Sequence, residues 1–192
     1  MRSTIYIISL AFFIGLIGCV PSLYPLYTKD TINFDSALLG TWTNSEGDRW
    51  IFEQSTSKSY KLTHHQKSYG LKNSVPGDTA VFTAHLVRLN DYLFIDIALI
   101  DPGVKNDIAQ VHMIPAHTFS RVWIEGDILR FTRLSTDWLE EAITKQLVEI
   151  EHANIRDGII LTAASQKLQQ FALTYAENKK VFSDVVMLRR EK

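Results

Sequence analysis

Four polar side chains in the middle of the chain are the best candidates for chemistry: Asp96, His112, His117 and Arg121. Asp96 stands in a strongly apolar run, where a buried carboxylate without a partner would be costly. Arg121 can bind a carboxylate or a phosphate through two parallel hydrogen bonds. A few polar groups among aromatic side chains are typical of a small-ligand pocket. The structural alternative is that Asp96 and Arg121 pair across strands while the histidines bond to backbone groups.

Signals for catalysis and for metal binding are weak. The sequence has no Gly-x-Ser-x-Gly elbow for a nucleophilic serine. His64 and His65 are adjacent, so on a regular strand they point to opposite faces and cannot hold one metal ion together. His112 and His117 are separated by a proline and have no carboxylate-rich partner segment. We therefore expect no enzyme activity, no metal site and no cofactor.

Composition and charge exclude further classes. The chain has 192 residues, with 20 Lys and Arg against 21 Asp and Glu, for a formal net charge of −1. Because no large basic patch stands out, nucleic acid is not an expected partner. A single cysteine excludes an internal disulfide and a cysteine-based metal cluster. The length fits one domain with a sizeable core.

The first 18 residues differ from the rest of the chain. Arg2 gives a positive start, and residues 5–17 form an uncharged apolar run. This run is shorter than the roughly 20 apolar residues that span a bilayer, and it is typical of a signal-peptide core. It ends on the tetrapeptide Leu16, Ile17, Gly18 and Cys19.

This tetrapeptide resembles the lipobox of bacterial lipoproteins. The resemblance implies that residues 1–18 are a signal peptide that is removed. It also implies a diacylglycerol on the Cys19 sulfur and an acyl chain on the new amine, and two or more chains give a stable membrane anchor. Val20 follows, where Asp would resemble an inner-membrane signal, so we expect the outer membrane of a bacterial envelope, facing the periplasm. The alternative is a plain secretory signal or a short membrane anchor.

Residues 19–34 are expected to form a tether that leads into a single domain at 35–192. Pro21 and Pro25 disfavour a regular helix in this segment. The segment is too apolar for a freely solvated linker, so we expect it to dock on the domain or on lipid headgroups. The apolar side chains concerned are Tyr24, Leu26 and Tyr27.

Strand patterns dominate from Leu38 onward. Eight segments joined mostly by short turns favour an antiparallel meander over parallel βαβ units. They are 39–43, 50–53, 59–64, 79–89, 92–98, 110–114, 117–124 and 128–133. A helix is predicted to start at Asp137, with Glu140 completing a capping box, and a second helix to be capped by Ser165. Short strands are predicted at 158–162 and 184–189.

The tripeptide Gly40-Thr41-Trp42 resembles the Gly-x-Trp motif on the first strand of the lipocalins and the wider calycin superfamily. The resemblance implies an up-and-down barrel in which Trp42 plugs the closed end. It further implies that a basic residue from the last strand, Arg189 or Arg190, covers the Trp42 ring. The chain also resembles a group of uncharacterised bacterial lipoproteins that share a lipobox, the "LLGTW" opening and the "IPAHTF" stretch.

The sequence therefore predicts a mainly β fold with two late helices, arranged as a lipocalin-like antiparallel barrel. The alternative is an α+β open antiparallel sheet flanked by helices. We expect a membrane-held binding module for a small amphipathic or lipid-like ligand inside the barrel, and the alternative is a protein–protein module, either an accessory subunit or an inhibitor, in the envelope. The expected ligand-site residues are Trp42, Asp96, His112, His117 and Arg121.

Overall fold

A computed structural model of the chain describes residues 19–67, 79–100, 105–108, 112–156 and 158–192. The strands in these ranges are β1 (Ile32–Asn33), β2 (Gly40–Thr43), β3 (Arg49–Thr56), β4 (Ser59–His65), β5 (Thr79–Leu89), β6 (Tyr92–Leu99), β7 (His117–Glu125), β8 (Ile128–Leu134), β9 (His152–Ile155), β10 (Gly158–Leu161) and β11 (Phe182–Arg190). The α-helices are α1 (Thr136–Thr144) and α2 (Ser165–Tyr175), and a 3₁₀ helix, η1, spans Ser36–Leu38.

Eight of these strands close into an antiparallel barrel. Strands β2 to β8 pair in chain order, and β11 closes the ring because it pairs with both β8 and β2. The connection from β8 to β11 contains α1, the β9–β10 hairpin and α2. Closure removes the unpaired sheet edges that an open sheet would expose. The predicted lipocalin-like up-and-down barrel is confirmed, and the open-sheet alternative is wrong.

Alternation along the strands divides the barrel wall into an inner and an outer face. The inner face encloses an apolar core, called the inner core here. Its fully buried members include Trp42, Leu62, Ala84, Leu86 and Leu188. A second, outer core lies between the outside of the wall, the helices and the N-terminal segment. Its members include Val20, Leu26, Phe94, Phe119, Leu139, Leu161, Leu168 and Phe182.

One end of the barrel is closed by η1, and we call it the closed end. Asp35 caps η1, since its Oδ1 accepts the N–H of Ala37 at 2.9 Å. Leu38 is fully buried, and its carbonyl accepts the indole N–H of Trp42 at 2.8 Å. The hydroxyl of Tyr60 accepts the N–H of Asp35 at 2.7 Å and donates to its carbonyl at 3.0 Å. Burial raises the pKa of Tyr60 to about 12.

The opposite end of the barrel holds the beginning of β7 and the end of β8. Cys19 forms an isolated bridge with Ser135, directly after β8, and Ser22 forms one with His117, the first residue of β7. We call this the Cys19 end. The turns at 57–58, 90–91 and 126–127 lie at the other end, because β3, β5 and β7 all run away from the Cys19 end.

Both helices begin differently from the prediction. The N-cap of α1 is Ser135, whose Oγ accepts the N–H of Trp138 at 3.3 Å, so a cap at Asp137 is wrong. Asp137 instead lies in the first turn, where its negative charge interacts favourably with the positive end of the helix dipole. The N-cap of α2 is Ala164, which makes no side-chain cap bond, and Ser165 is already helical.

Other predictions fall partly outside the described residues. The signal peptide at 1–18 lies outside them entirely. Of the strand predicted at 110–114, residues 112–114 are described and are not strand. Strands β1 and β9 are present although the sequence pattern does not predict them. Among the described residues, no helix combines the length and the hydropathy needed to cross a bilayer.

Candidate functional site

The predicted site residues lie on both faces of the barrel wall. Trp42 is fully buried in the inner core. Asp96 alternates with the inner-core residue Ile95 and shares the outer face with Phe94. Arg121 likewise lies outside, because its neighbour Val122 belongs to the inner core. The expectation that this polar face lines the barrel interior is therefore wrong, and the sheet separates Trp42 from the polar residues.

Asp96 is 1% exposed, and both of its carboxylate oxygens have partners. Oδ1 lies 2.8 Å from Nδ1 of His117, and Oδ2 accepts the backbone N–H of Leu26 at 2.7 Å. These two bonds offset the cost of burying the carboxylate. Asp96 is thus paired, as the structural alternative requires. The predicted partner is wrong, however, because the pair is formed with His117 and not with Arg121.

The bond to Leu26 ties the N-terminal segment to the outer wall. Leu26 is fully buried in the outer core. Ser22 exchanges two backbone hydrogen bonds with His117, each with an N···O distance of 2.8 Å. The N–H of Leu23 donates to the carbonyl of Leu161 at 2.9 Å. The segment therefore docks on the barrel, as its apolar composition indicates.

The rings of Tyr27 and His85 lie beside the Asp96–His117 pair. Tyr27 lies against His85 with ring centroids 4.1 Å apart, and its ring meets His117 edge-on at 6.2 Å. His85 stands opposite Asp96 in the register of β5 and β6. Burial lowers the pKa of His85, and the Asp96 charge opposes this shift. Burial, followed by the Asp96 charge, raises the pKa of Tyr27. The rings of Tyr27, His85 and His117 thus lie around one buried carboxylate.

Arg121 belongs to a separate arrangement on the same face. Its guanidinium carbon lies 4.7 Å from the ring centroid of Tyr92 and 4.5 Å from that of Trp123. Nη1 donates to the carbonyl of Ala176, the C-cap of α2, and Nη2 lies 3.5 Å from Oε1 of Glu177. The cation thus satisfies a carbonyl at the helix end and lies within cation–π distance of two rings.

A groove of about 680 Å³ opens on the outer wall beside Arg121. We call it the Arg121 groove. It runs over β7, β8 and β11 and is bounded by the segment that follows α2. Its apolar lining includes Trp123, Phe182, Val185 and Met187. Its polar lining includes Arg121, Arg130, Thr132 and Lys179, together with the acidic residues Glu177 and Asp184.

The floor of the Arg121 groove carries an unpaired hydroxyl. Thr132 stands between Arg121 on β7 and Val185 on β11 in the strand register. It is 6% exposed, and its Oγ1 has no hydrogen-bond partner. An unsatisfied buried polar group costs about 1–3 kcal/mol. A ligand oxygen that reaches Thr132 would recover this cost. Arg130 lies nearby, with its guanidinium carbon 4.6 Å from the centroid of the Trp123 ring.

Sequence reasoning missed Arg130 and Thr132. On β8 these two residues alternate with the inner-core residues Leu129 and Phe131. The alternation was the available signal, but only the strand pairing shows that Thr132 stands opposite Arg121 and Arg130 opposite Trp123. Arg133, the next inward position, also has a buried Nε without a hydrogen-bond partner.

His112 is not part of either arrangement. It is exposed, and its Nδ1 lies 2.7 Å from the carbonyl oxygen of Ile108. In the described part of the chain, no three His, Cys, Asp or Glu side chains converge as metal ligands do.

The inner face shows the pairing that the calycin resemblance implies for Trp42. The guanidinium carbon of Arg190 lies 4.1 Å from the centroid of the Trp42 ring. Its two Nη atoms donate to the carbonyls of Leu39 and Ala37, each at 2.6 Å. Arg189 is the neighbouring residue and is exposed. Arg190, and not Arg189, therefore covers Trp42.

Gly40 permits this close approach. Its φ is +117°, a region that side chains other than glycine rarely adopt. A Cβ at this position would lie 2.9 Å from Nη1 of Arg190. Gly40 of the Gly-x-Trp motif thus leaves room for Arg190, the residue that covers Trp42 of the same motif.

Comparisons with known proteins provide no family for this chain. No family model, no curated protein and no solved structure matches it. The strand pairing alone shows a mainly β, closed eight-stranded antiparallel barrel of lipocalin-like form. The lipoprotein resemblance and the lipocalin resemblance stay predictions from the sequence.

Proposed function

We propose that this chain is a lipid-anchored binding module of the bacterial envelope, and that it holds a small amphipathic anion in the Arg121 groove. The observation that carries the proposal is the composition of that groove. Two arginines and an unpartnered buried hydroxyl stand among apolar side chains. The proposal is one of binding and not of catalysis.

The size and chemistry of the groove suit such a ligand. Its volume of about 680 Å³ lies within the roughly 300–1,000 Å³ of small-molecule sites. Arg130 offers a planar fork for a carboxylate or a phosphate, and Thr132 offers a hydroxyl beside it. Val185 is 62% exposed at the groove, which provides apolar surface for a hydrocarbon portion.

The anchor is proposed from the lipobox resemblance. The Cys19 side chain is exposed, so its thiol is accessible to acylation. The bound lipid would be a diacylglycerol on sulfur and an acyl chain on the amine, with the domain on the periplasmic side of the outer membrane. Metabolic labelling with an alkyne palmitate tests this step. We expect label on the wild type and none on Cys19→Ser, and equal labelling of the two would refute acylation at Cys19.

The binding step is tested by calorimetric titration of the purified full chain with dodecanoate and with dodecyl phosphate. Arg130→Gln and Thr132→Val remove the polar contacts of the groove. Because a charge-assisted hydrogen bond contributes about 1.5–3 kcal/mol, we expect Arg130→Gln to weaken binding by roughly 10- to 100-fold. Arg49→Gln is the matched control, since Arg49 pairs with Glu191 as Arg130 pairs with Glu125.

Two results would contradict the groove as the site. Unchanged binding in both groove variants would exclude it. Weaker binding only in Arg133→Gln would place the ligand inside the barrel, next to the unpartnered Nε of that residue. Absence of any binding by either amphiphile to the wild type would remove the carrier function altogether.

A protein–protein module is the second candidate function. A groove of about 590 Å³ lies between α2 and residues 147–151, and Leu147 is largely exposed at its edge. Exposed apolar side chains beside a groove are typical of contact surfaces. In-cell crosslinking through a photoreactive residue at position 147 tests this candidate, and a stable envelope-protein adduct would favour it over the carrier function.

A further inference from the structure

We infer that the Cys19 end of the barrel faces the bilayer, and that the exposed apolar side chains described between β6 and β7 insert among the lipid headgroups. The inference rests on the anchoring part of the proposed function. It adds to that function a defined surface and an orientation. The proposed partner is a phospholipid surface.

The chain leaves the domain towards the membrane from one defined place. Cys19 is bridged to Ser135 at the end of β8, and Nη1 of Arg133 lies 3.9 Å from its Sγ. Ser22 is held to His117 at the start of β7. Acyl chains on Cys19, or the apolar run that precedes it, would therefore start at this end of the barrel. Either kind of anchor brings the bilayer to the same surface.

The connection from β6 to β7 starts and ends at the same end of the barrel, and its described residues expose several large apolar side chains. Five of the ten large exposed hydrophobic side chains found among the described residues lie in the connection from the end of β6 to the start of β7. Ile108 is 74% exposed and Ile114 is 68% exposed. The other three are Leu99, Ile100 and Met113. Tyr24, two residues after Ser22, is also exposed.

The closed end has the opposite character. Its turns expose Lys58, Asn90, Asp91 and Asp127. Clustered exposed apolar residues mark membrane or protein contacts, and scattered polar turns do not. Because a hydrocarbon anchor starts beside the apolar cluster, the lipid surface is the partner that can reach all of it at once. Partial burial of such side chains at the headgroup boundary would add to the anchor's own affinity.

Site-specific fluorescence on the full acylated chain in phosphatidylethanolamine–phosphatidylglycerol vesicles tests the orientation. Cys19 is the only cysteine, and acylation blocks its thiol, so Ile114→Cys provides one reactive site for an environment-sensitive probe. Val185→Cys is the exposure-matched control on the side wall, and Lys58→Cys marks the closed end. Ile108→Cys serves as a second reporter if Ile114→Cys fails to fold.

We expect the probe at position 114 to be quenched by spin-labelled lipids. We also expect its iodide quenching constant to be several-fold lower than at positions 58 and 185. Equal iodide quenching at all three positions, with the protein still floating with the vesicles, would refute the orientation while leaving the anchor intact. Failure to float, with a reactive Cys19 thiol, would instead refute the anchor and with it this inference.

Discussion

On the inner face of β8, Leu129 and Phe131 pack into the barrel interior, whereas on the outer face of the same strand Arg130 and Thr132 line the Arg121 groove. The same contrast holds across β6, where Ile95 points inward and Asp96 points outward. At the level of Trp42 the inner wall is lined by apolar side chains, and Arg190 covers the Trp42 ring. Asp96 and Arg121 lie on the outer face, where the N-terminal segment and the end of α2 meet the wall.

This difference shows how one barrel wall can serve two purposes. An inner face that is packed with apolar side chains supplies stability through burial. An outer face that is partly covered can hold buried charges, because backbone groups of the covering segments satisfy them. Leu26 provides an N–H for Asp96, and Ala176 provides a carbonyl for Arg121. Side-chain truncations on the inner and outer faces of the wall should therefore differ in the kind of interaction they remove and in the loss of stability they cause.

The largest expected effect is from truncating the inner face at Trp42. Trp42→Ala should lower the free energy of unfolding by about 3–5 kcal/mol, since it removes a fully buried ring and leaves a cavity. Trp123→Ala is the matched change on the outer face, where the ring is only half-buried, and it should cost less than half as much. Urea unfolding measures both. Equal losses would show that the two faces contribute alike to stability.

The next effect concerns the arginine that covers Trp42. Arg190→Met keeps an apolar stem but removes two hydrogen bonds to carbonyls and the cation over the ring, so we expect a loss of about 2 kcal/mol. Arg189→Met, at the exposed neighbouring position, should change stability by no more than about 0.5 kcal/mol. A comparable loss in both variants would argue against a special role for Arg190 in closing the barrel.

On the outer face, Asp96→Asn should cost about 1–2 kcal/mol, because the amide keeps the shape but loses the charge that Leu26 and His117 contact. Hydrogen exchange of the Leu26 amide should quicken at the same time. Asp91→Asn, in an exposed turn, is the control and should leave both measurements unchanged. If Leu26 stays as protected in Asp96→Asn as in the wild type, the carboxylate does not hold the N-terminal segment.

The smallest expected effect is a dependence of stability on pH. Burial lowers the pKa of His64, which lies two residues after Leu62 and therefore shares its inner face, and of the outer-face residue His85. The unfolded chain then binds more protons than the folded chain as the pH falls below the ordinary histidine value of 6.5. Stability should therefore decrease on acidification from pH 7.5 to 5.5.

The variants His64→Gln and His85→Gln separate the two faces in this experiment. Each should flatten part of the decrease, seen as the difference in unfolding free energy from the wild type at each pH. If the unfolding free energy of a variant depends on pH as that of the wild type does, the substituted histidine does not contribute to the decrease.

Much of the barrel is predictable from local sequence because its strands alternate and end at turn residues. The prediction at 79–89 coincides with β5, and the prediction at 92–98 stops one residue before the end of β6. By contrast, β1 has only two residues, and β9 has little apolar alternation. β1 is held by the distant strand β5, and β9 by the adjacent strand β10, so neither needs a local pattern of its own.

The site is less predictable than the fold for a related reason. The sequence places Asp96 and Phe94 on one face, and it does predict that polar residues gather there. It does not indicate that this face is the outer one, because a covered outer face is apolar like an inner face. The Leu26 N–H and the Ala176 carbonyl are backbone groups far from Asp96 and Arg121 along the chain. Side-chain patterns carry no record of such partners.

The docking of the N-terminal segment has a consequence for the order of folding. Leu26 must meet Asp96, 70 residues later, and Leu23 must meet Leu161 near the other end of the chain. Contacts between such distant residues form slowly, because a long loop has to close first. The N-terminal segment is synthesised first, but its contacts with the barrel are therefore among the last to form. A chain that ends before β10 would contain strands β2 to β8. It would lack Leu161, whose carbonyl binds the N–H of Leu23 in the N-terminal segment.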